Sequence, residues 1–163
     1  MFKVLTEGCE PIRGSKYSAC IDLYAAKDVL IGAGETVLVP LGVCIDLEKL
    51  TTLTGISSKG HPHFLRTHYL QLMLRSSLSK ELIIANGVGV VDLDFKDEIM
   101  IRLYKPMRMN SIYDAVCEIE ENNTFQIKKG DRVAQIMLCE HKSYLFGIES
   151  EEERVGGFGS TGK

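Results

Sequence analysis

The sequence predicts an all-β domain built as a β-sandwich, a jelly roll or a barrel. Its apolar residues fall in many short runs, each closed by glycine, proline or a polar cluster, the pattern of strands joined by turns. A sustained helical period is missing from almost all of the chain. The 163 residues amount to one domain. A chain of that size buries about 70% of its unfolded surface and needs no disulfide or metal staple.

Val37 to Ile45 is β-branched and interrupted by Pro40 and Gly42, so it reads as broken strand. Leu82 to Ala85 and Val88 to Val91 are two further short strands, and Ile99 to Tyr104 and Arg132 to Leu138 are longer ones. The best helical stretches are short: Ser76 to Leu82, and the acidic Tyr113 to Glu121. Two segments read as excursions from the sheets, in the form of surface loops or added hairpins. One is Thr51 to His68, polar and glycine-rich; the other is Lys105 to Thr124, which carries the run Glu118 to Asn123. The expected body is residues 1–148, followed by a glycine-rich lid segment over 149–163.

Composition excludes several classes of protein. Apolar residues make up 45% and charged residues 25%, ordinary for a soluble domain. With 19 basic against 22 acidic residues the net charge is −3, which argues against a nucleic-acid backbone as the main partner. No apolar run approaches the roughly 20 residues that span a bilayer, so no membrane partner is expected. Met1 to Gly8 lacks the apolar stretch of a secretory signal. The expected location is the cytoplasm, or that of the host cell for a phage or viral protein. Cys9, Cys20, Cys44, Cys117 and Cys139 are odd in number and hold no C-x-x-C pair, which suits small apolar residues in a reducing compartment. His61-Pro62-His63, with His68 nearby, reads as a solvated loop.

Five segments carry residues with chemistry. In the first, Asp22 interrupts the apolar stretch Ala19 to Ala26. In the second, Arg75 with Ser76 and Ser77 sits at a strand end, a combination suited to gripping phosphate. The third runs from Asn86 to Phe95 through Gly89, Val90, Val91 and Asp92. There Asp92 ends what reads as a buried strand, where a carboxylate is costly unless paired or used. Asn86 offers both a donor and an acceptor, as reading an imide edge requires. In the fourth, Gln135 lies inside a strand after the turn Gly130-Asp131. The fifth is the tail, where Arg154 precedes Gly156-Gly157-Phe158-Gly159-Ser160-Thr161-Gly162. Its glycines let backbone N–H groups approach an anion, and Phe158 offers a ring to stack. The composition is that of a lid closing on a phosphate-bearing ligand.

In order and spacing these five segments, from Ala19 to Gly162, resemble the five motifs of the trimeric dUTPase family, the deoxyuridine triphosphate nucleotidohydrolases. The last motif and Gly89-Val90-Val91-Asp92 with Phe95 carry the likeness most specifically. The Arg-Ser-Ser-Leu form of the second, followed by Ile84-Ala85-Asn86, is similar to the versions in phages and large DNA viruses. The chain departs from the family pattern in having Leu74 for proline, Ser77 for glycine, Phe95 for tyrosine and Lys96-Asp97 for Arg-Gly. Arg154 also stands one position nearer the glycines.

The resemblance implies a distorted jelly-roll β-barrel, a homotrimer with shared sites, and hydrolysis of dUTP to dUMP and diphosphate, which keeps uracil out of DNA and supplies the precursor of dTMP. It implies Asp92 as the general base for a water attacking the α-phosphorus. Asn86, with the backbone of Gly89 to Asp92 and of Met100, would read uracil, and Phe95 would pack under the deoxyribose. Arg75, Ser76 and Ser77 of a neighbouring subunit, with Gln135, would hold the phosphates. Mg²⁺ would be held mainly by the triphosphate, with Asp22 touching its waters. Phe158 would stack on uracil, and Arg154, Gly159 and Ser160 would reach the phosphates. Two other readings stand beside this. A dCTP deaminase-like enzyme would carry a glutamate where this chain has Arg102 and an arginine where it has Lys80. A non-catalytic, nucleotide-dependent regulatory protein would use the excursions to hold a protein partner.

Overall fold

The computed structural model describes residues 1–54, 61–107 and 123–148. In chain order its elements are β1 (Phe2–Val4), β2 (Ile12–Arg13), β3 (Ile21–Tyr24), β4 (Val29–Gly32), β5 (Thr36–Pro40), β6 (Val43–Ile45), α1 (Leu47–Thr54), α2 (His61–Thr67), β7 (His68–Leu74), β8 (Ile83–Ile84), β9 (Gly89–Asp92), β10 (Met100–Tyr104), β11 (Thr124–Ile127), β12 (Arg132–Glu140) and a 3₁₀ turn at Ser143–Phe146. The pairings are antiparallel. The largest sheet has the order β2-β3-β12-β7-β9, and a second runs β5-β10-β8. Two ribbons, β1–β6 and β4–β11, complete the framework. A mostly-strand framework of short antiparallel sheets is what the sequence predicted.

Alternation places the core. On β10, Ile101 and Leu103 are fully buried while Met100, Arg102 and Tyr104 face the other way. On β7 the buried pair is Leu70 and Leu72, and on β12 Val133, Ala134 and Ile136 are buried. These meet Leu23, Ile31, Val39, Leu41, Leu82, Leu93, Ile99 and Ile127 in one apolar cluster. β12 is the longest strand, and it pairs with β7 from Ala134↔Leu74 to Glu140↔His68. Against β3 its register shifts between Arg132 and Ala134, so Val133 is an extra residue there. The Val133 carbonyl accepts from the Arg75 N–H at 3.1 Å, so the bulge fixes where the chain leaves β7.

Gly42 shows how tightly the β5–β6 connection is drawn. Its φ is +66°, and a Cβ there would lie 2.7 Å from the Cys9 Cβ. Its carbonyl accepts from the N–H groups of Leu5 and Thr6 at 2.7 and 3.2 Å. Gly42→Ala therefore meets left-handed strain and a steric clash together, and is expected to cost about 2–4 kcal/mol. Equilibrium denaturation checks this; an unchanged midpoint would mean that Cys9 and Thr6 move aside freely. Cys9 and Cys44 are buried as expected, Cys20 and Cys139 are half-buried, and all four are free thiols. Burial pushes the Cys9 thiol up from its ordinary value, so it stays protonated and behaves as a small apolar group.

The structure differs here from the sequence-based expectation at three places. The segment Thr51 to His68 is not simply loop: α1 runs to Thr54, α2 spans His61–Thr67, and β7 begins at His68. The Asp46 carboxylate caps α1 by accepting from the Lys49 N–H at 3.0 Å, and Leu50 is buried beneath it. In α2, Phe64 is buried and stacks on the His68 ring at 4.1 Å, so these histidines belong to a helix and the strand after it, not to a solvated loop. Polar composition concealed both helices. Second, β7 is a central strand that the sequence reading did not identify. Third, Ser76 to Leu82 forms a run of turns instead of a helix. The excursion expected from Lys105 to Thr124 starts at the buried Lys105 and ends where Thr124 opens β11. Its interior, with Tyr113 to Glu121, and Cys117 lie outside the described residues, as does the segment 149–163.

Candidate active site

Two strands from different sheets frame the site. β8 pairs with β10, and β9 pairs with β7, so the turn Ala85–Val88 crosses from one sheet to the other. Gly87 takes φ +74° in that turn, and its N–H donates to the Ile84 carbonyl at 3.2 Å. Gly89 lets β9 lie close to β7. A Cβ at Gly89 would stand 2.9 Å from the Leu72 Cβ and 3.1 Å from the Leu72 carbonyl oxygen. Where the sheets separate, a cavity of about 240 Å³ opens. Asn86, Gly89, Val90, Val91, Phe95 and Met100 line it, so six of the residues singled out from the sequence stand around one hollow.

The hydrogen-bond pattern explains what that hollow offers. The Leu41 N–H donates to the Ile99 carbonyl at 3.0 Å, so Ile99 bonds toward β5 and the next residue, Met100, points its polar backbone groups the other way. On that other side β8 covers β10 only at Leu103 and Tyr104, and the Ala85 N–H reaches the Arg102 carbonyl at 2.9 Å. Beyond that bond the chain turns away, leaving the main chain of Met100 facing the cavity. β9 is the edge strand of its sheet, with β7 on one side. Main-chain donors and acceptors thus approach the hollow from both walls, and Leu72, Ile84, Phe95 and Ile99 add apolar lining. That arrangement suits a small planar ring with a polar edge.

Asp92 ends β9, directly after the cavity-lining Val91. It is exposed, which corrects the expectation of a buried strand end. β9 is an edge strand whose alternate residues Val90 and Asp92 face solvent, so the cost of burial is no argument for its role. Position beside the cavity is the argument that remains.

A second cluster forms around Asp22. Its Oδ1 lies 3.3 Å from Arg75 Nε and its Oδ2 lies 3.5 Å from Arg132 Nη1, with the side chain 13% exposed. Gln135 is the cross-strand partner of Asp22 on one side and of Met73 on the other. Arg75 and Arg132 border a second hollow with Leu78, Phe125 and Ile127. Ser76 and Ser77 are exposed in the turn that follows Arg75. The two clusters stand apart within one chain. Asp92 is opposite Tyr69 on β7, and Arg75 lies six residues farther along, a separation of roughly 20 Å at strand rise.

Sequence reasoning missed Leu72, Ile84, Ile99, Ile101 and Arg102 among the cavity residues. The apolar four carry no signal beyond strand pattern, but Arg102 breaks the run Ile99 to Tyr104 and could have been flagged. It also missed Arg132 as a partner of Asp22. Arg154, Phe158, Gly159 and Ser160 lie outside the described residues.

Known proteins match this chain over nearly its whole length. A family model for dUTPase matches residues 7–162. A deoxyuridine 5'-triphosphate nucleotidohydrolase of Candida glabrata is 30% identical, over 96% of this chain and 90% of that protein. Among solved structures, the dUTPase of Streptococcus mutans is 25% identical with a TM-score of 0.59, covering 85% of this chain and 94% of that one. A mutant dUTPase from phage phi11 of S. aureus, whose structure coordinates a structural Mg(II) ion, shares the fold at a TM-score of 0.62 and 20% identity, covering 98% of each chain. The motifs, the antiparallel framework and these matches agree, and the chain belongs to the dUTPase family.

Proposed function

We propose that this chain is a dUTP diphosphatase that hydrolyses dUTP to dUMP and diphosphate, keeping uracil out of DNA and supplying the precursor of dTMP. The observation that carries the reading is the cavity between β9 and β10, with main-chain polar groups on both walls and Asp92 beside it. Uracil enters with its imide edge against those backbone groups and the Asn86 amide. Val91 and Ile84 border the ring, leaving little room for a 5-methyl group. The buried Phe95 packs under the sugar and disfavours a 2′-hydroxyl.

The Asp92 carboxylate takes a proton from a water molecule, whose oxygen attacks the α-phosphorus. The bond from that phosphorus to the bridging oxygen breaks, and diphosphate leaves. Arg75, Ser76, Ser77 and Gln135 hold the phosphate chain. The roughly 20 Å along β7 supports a homotrimer with shared sites, because one triphosphate cannot lie against Asp92 and Arg75 of the same chain. The segment 149–163 acts as the lid, Phe158 stacking on the base while Arg154, Gly159 and Ser160 contact phosphates.

The residues present fit Mg²⁺ in one form. Among the described residues no three His, Cys, Asp or Glu side chains stand together, and both Asp22 oxygens already face guanidinium groups. They therefore fit a hydrated cation that arrives with the triphosphate, Asp22 reaching its waters. When bound, Mg²⁺ supplies charge neutralisation and orientation at the phosphates. We place the enzyme in the cytoplasm; among the described residues no helix is long and apolar enough to cross a membrane.

Diphosphate release from four nucleotides tests the reading. Relative to dUTP, kcat/KM is expected to fall about 10–200-fold for dTTP, where a single methyl group is rejected, and about 10⁴-fold for dCTP, where buried polar partners are mismatched. For UTP the Phe95 contact gives a fall of roughly a hundredfold. Comparable rates on all four would refute the pocket assignment.

A further inference from the structure

Lys105 is 4% exposed, and the only other buried polar side chain among the described residues is that of Thr67. Thr67 satisfies its hydroxyl within its own helix by donating to the His63 carbonyl at 2.9 Å. Lys105 has no such local solution, and a buried ammonium is costly unless paired. Its backbone is fixed just past the end of β10. Its N–H donates to the Glu35 carbonyl at 3.1 Å, and its carbonyl accepts from the Gly34 N–H at 2.8 Å. Its Nζ lies 3.6 Å from Glu81 Oε2.

Glu81 closes the run of turns that Arg75 opens. The Leu78 N–H donates to the Arg75 carbonyl at 3.0 Å, and the N–H groups of Glu81 and Leu82 donate to the Leu78 carbonyl at 3.0 and 2.9 Å. The Arg75 end of this turn is held by the β12 bulge and by Asp22. The Glu81 end is held by Lys105. Stability alone does not account for that pair, because a well-packed apolar side chain serves a buried position as well or better. We infer that Lys105 is a positioning residue for the triphosphate: through Glu81 it clamps the far end of the turn that presents Arg75, Ser76 and Ser77. The inference rests on the reading of that turn as the phosphate grip.

The test compares two ligands in the full-length protein, dUMP and the α,β-imido analogue of dUTP, by calorimetry alongside dUTP turnover. Lys105→Met is expected to weaken the imido analogue and to lower kcat/KM by roughly tenfold or more, with dUMP affinity held within about twofold. Lys105→Arg is expected to restore most of the loss. Lys105→Met combined with Glu81→Gln is expected to be no worse than Glu81→Gln alone, since both break the Lys105–Glu81 link. Equal weakening of both ligands, no weakening of either, or losses that multiply in the double variant would overturn the inference. Should Lys105→Met fail to fold, Glu81→Gln, at the more exposed end of the pair, carries the same comparison. Arg75→Ala in the same assay separates the two levels. If it spares the imido analogue, the phosphate-grip reading fails; if it weakens the analogue while Lys105→Met and Glu81→Gln do not, only the clamp fails.

Discussion

Asp92→Asn is expected to lower kcat by about 10²–10⁴-fold while nucleotide affinity stays within a fewfold. The asparagine amide keeps the size of the carboxylate and can still hold a water by hydrogen bonds, but it cannot take that water's proton. The effect therefore falls on the transition state and leaves ground-state binding nearly intact. Fold is spared as well, because Asp92 is exposed at the end of an edge strand and the change is isosteric. Single-turnover kinetics and calorimetry on one preparation separate the two quantities. Turnover near that of the parent would put the base elsewhere. Loss of binding and turnover together would make Asp92 a holder of substrate.

Arg75→Ala carries the second large effect, a fall in kcat/KM of about 10²–10³-fold. This guanidinium is preorganised. The Arg75 N–H is tied to Val133 at 3.1 Å, and Nε meets Asp22 at 3.3 Å. A group already held in place loses little freedom when phosphate arrives, so its removal costs more than that of a free surface arginine. Removal also leaves Asp22 opposite Arg132 alone, so a cluster of two cations around one carboxylate loses the positive charge it has to spare for phosphate. Arg75→Lys should recover only a small part of the loss, because an ammonium cannot use the planar fork that meets Asp22 and phosphate together. Steady-state kinetics with dUTP checks both variants; kcat/KM within threefold of the parent for Arg75→Ala would remove this turn from the site.

Much of the framework could be read from the sequence, for a physical reason. Runs such as Ile99 to Tyr104 and Arg132 to Leu138 are short, apolar and closed by turn residues, and strand is the conformation that buries segments of that length. β7 escaped because it follows directly on α2, and His68, Gln71 and the flanking polar residues disguise its buried Leu70 and Leu72. The helices escaped because α1 and α2 are two turns each, too short for a period to stand out.

The candidate site was legible in its residues and not in its geometry. Asn86, Gly89, Val90, Val91, Phe95 and Met100 could be singled out along the chain, yet nothing in their spacing says that β8 stops at Ile84 and exposes the main chain of Met100. Nor does spacing reveal that Asp22 is held between Arg75 and Arg132, since three strands must first come together. At Asp92 the failure runs the other way. Local hydrophobicity pointed to burial, but edge position in the sheet decides exposure.

The attack of water on the α-phosphorus beside Asp92 is tested most directly by hydrolysing dUTP in ¹⁸O-enriched water and locating the label by mass spectrometry. The expected result is one labelled oxygen in dUMP and none in diphosphate. Label in diphosphate with none in dUMP would place the attack on the β-phosphorus, away from the atom that Asp92 is proposed to serve, and would contradict this mechanism.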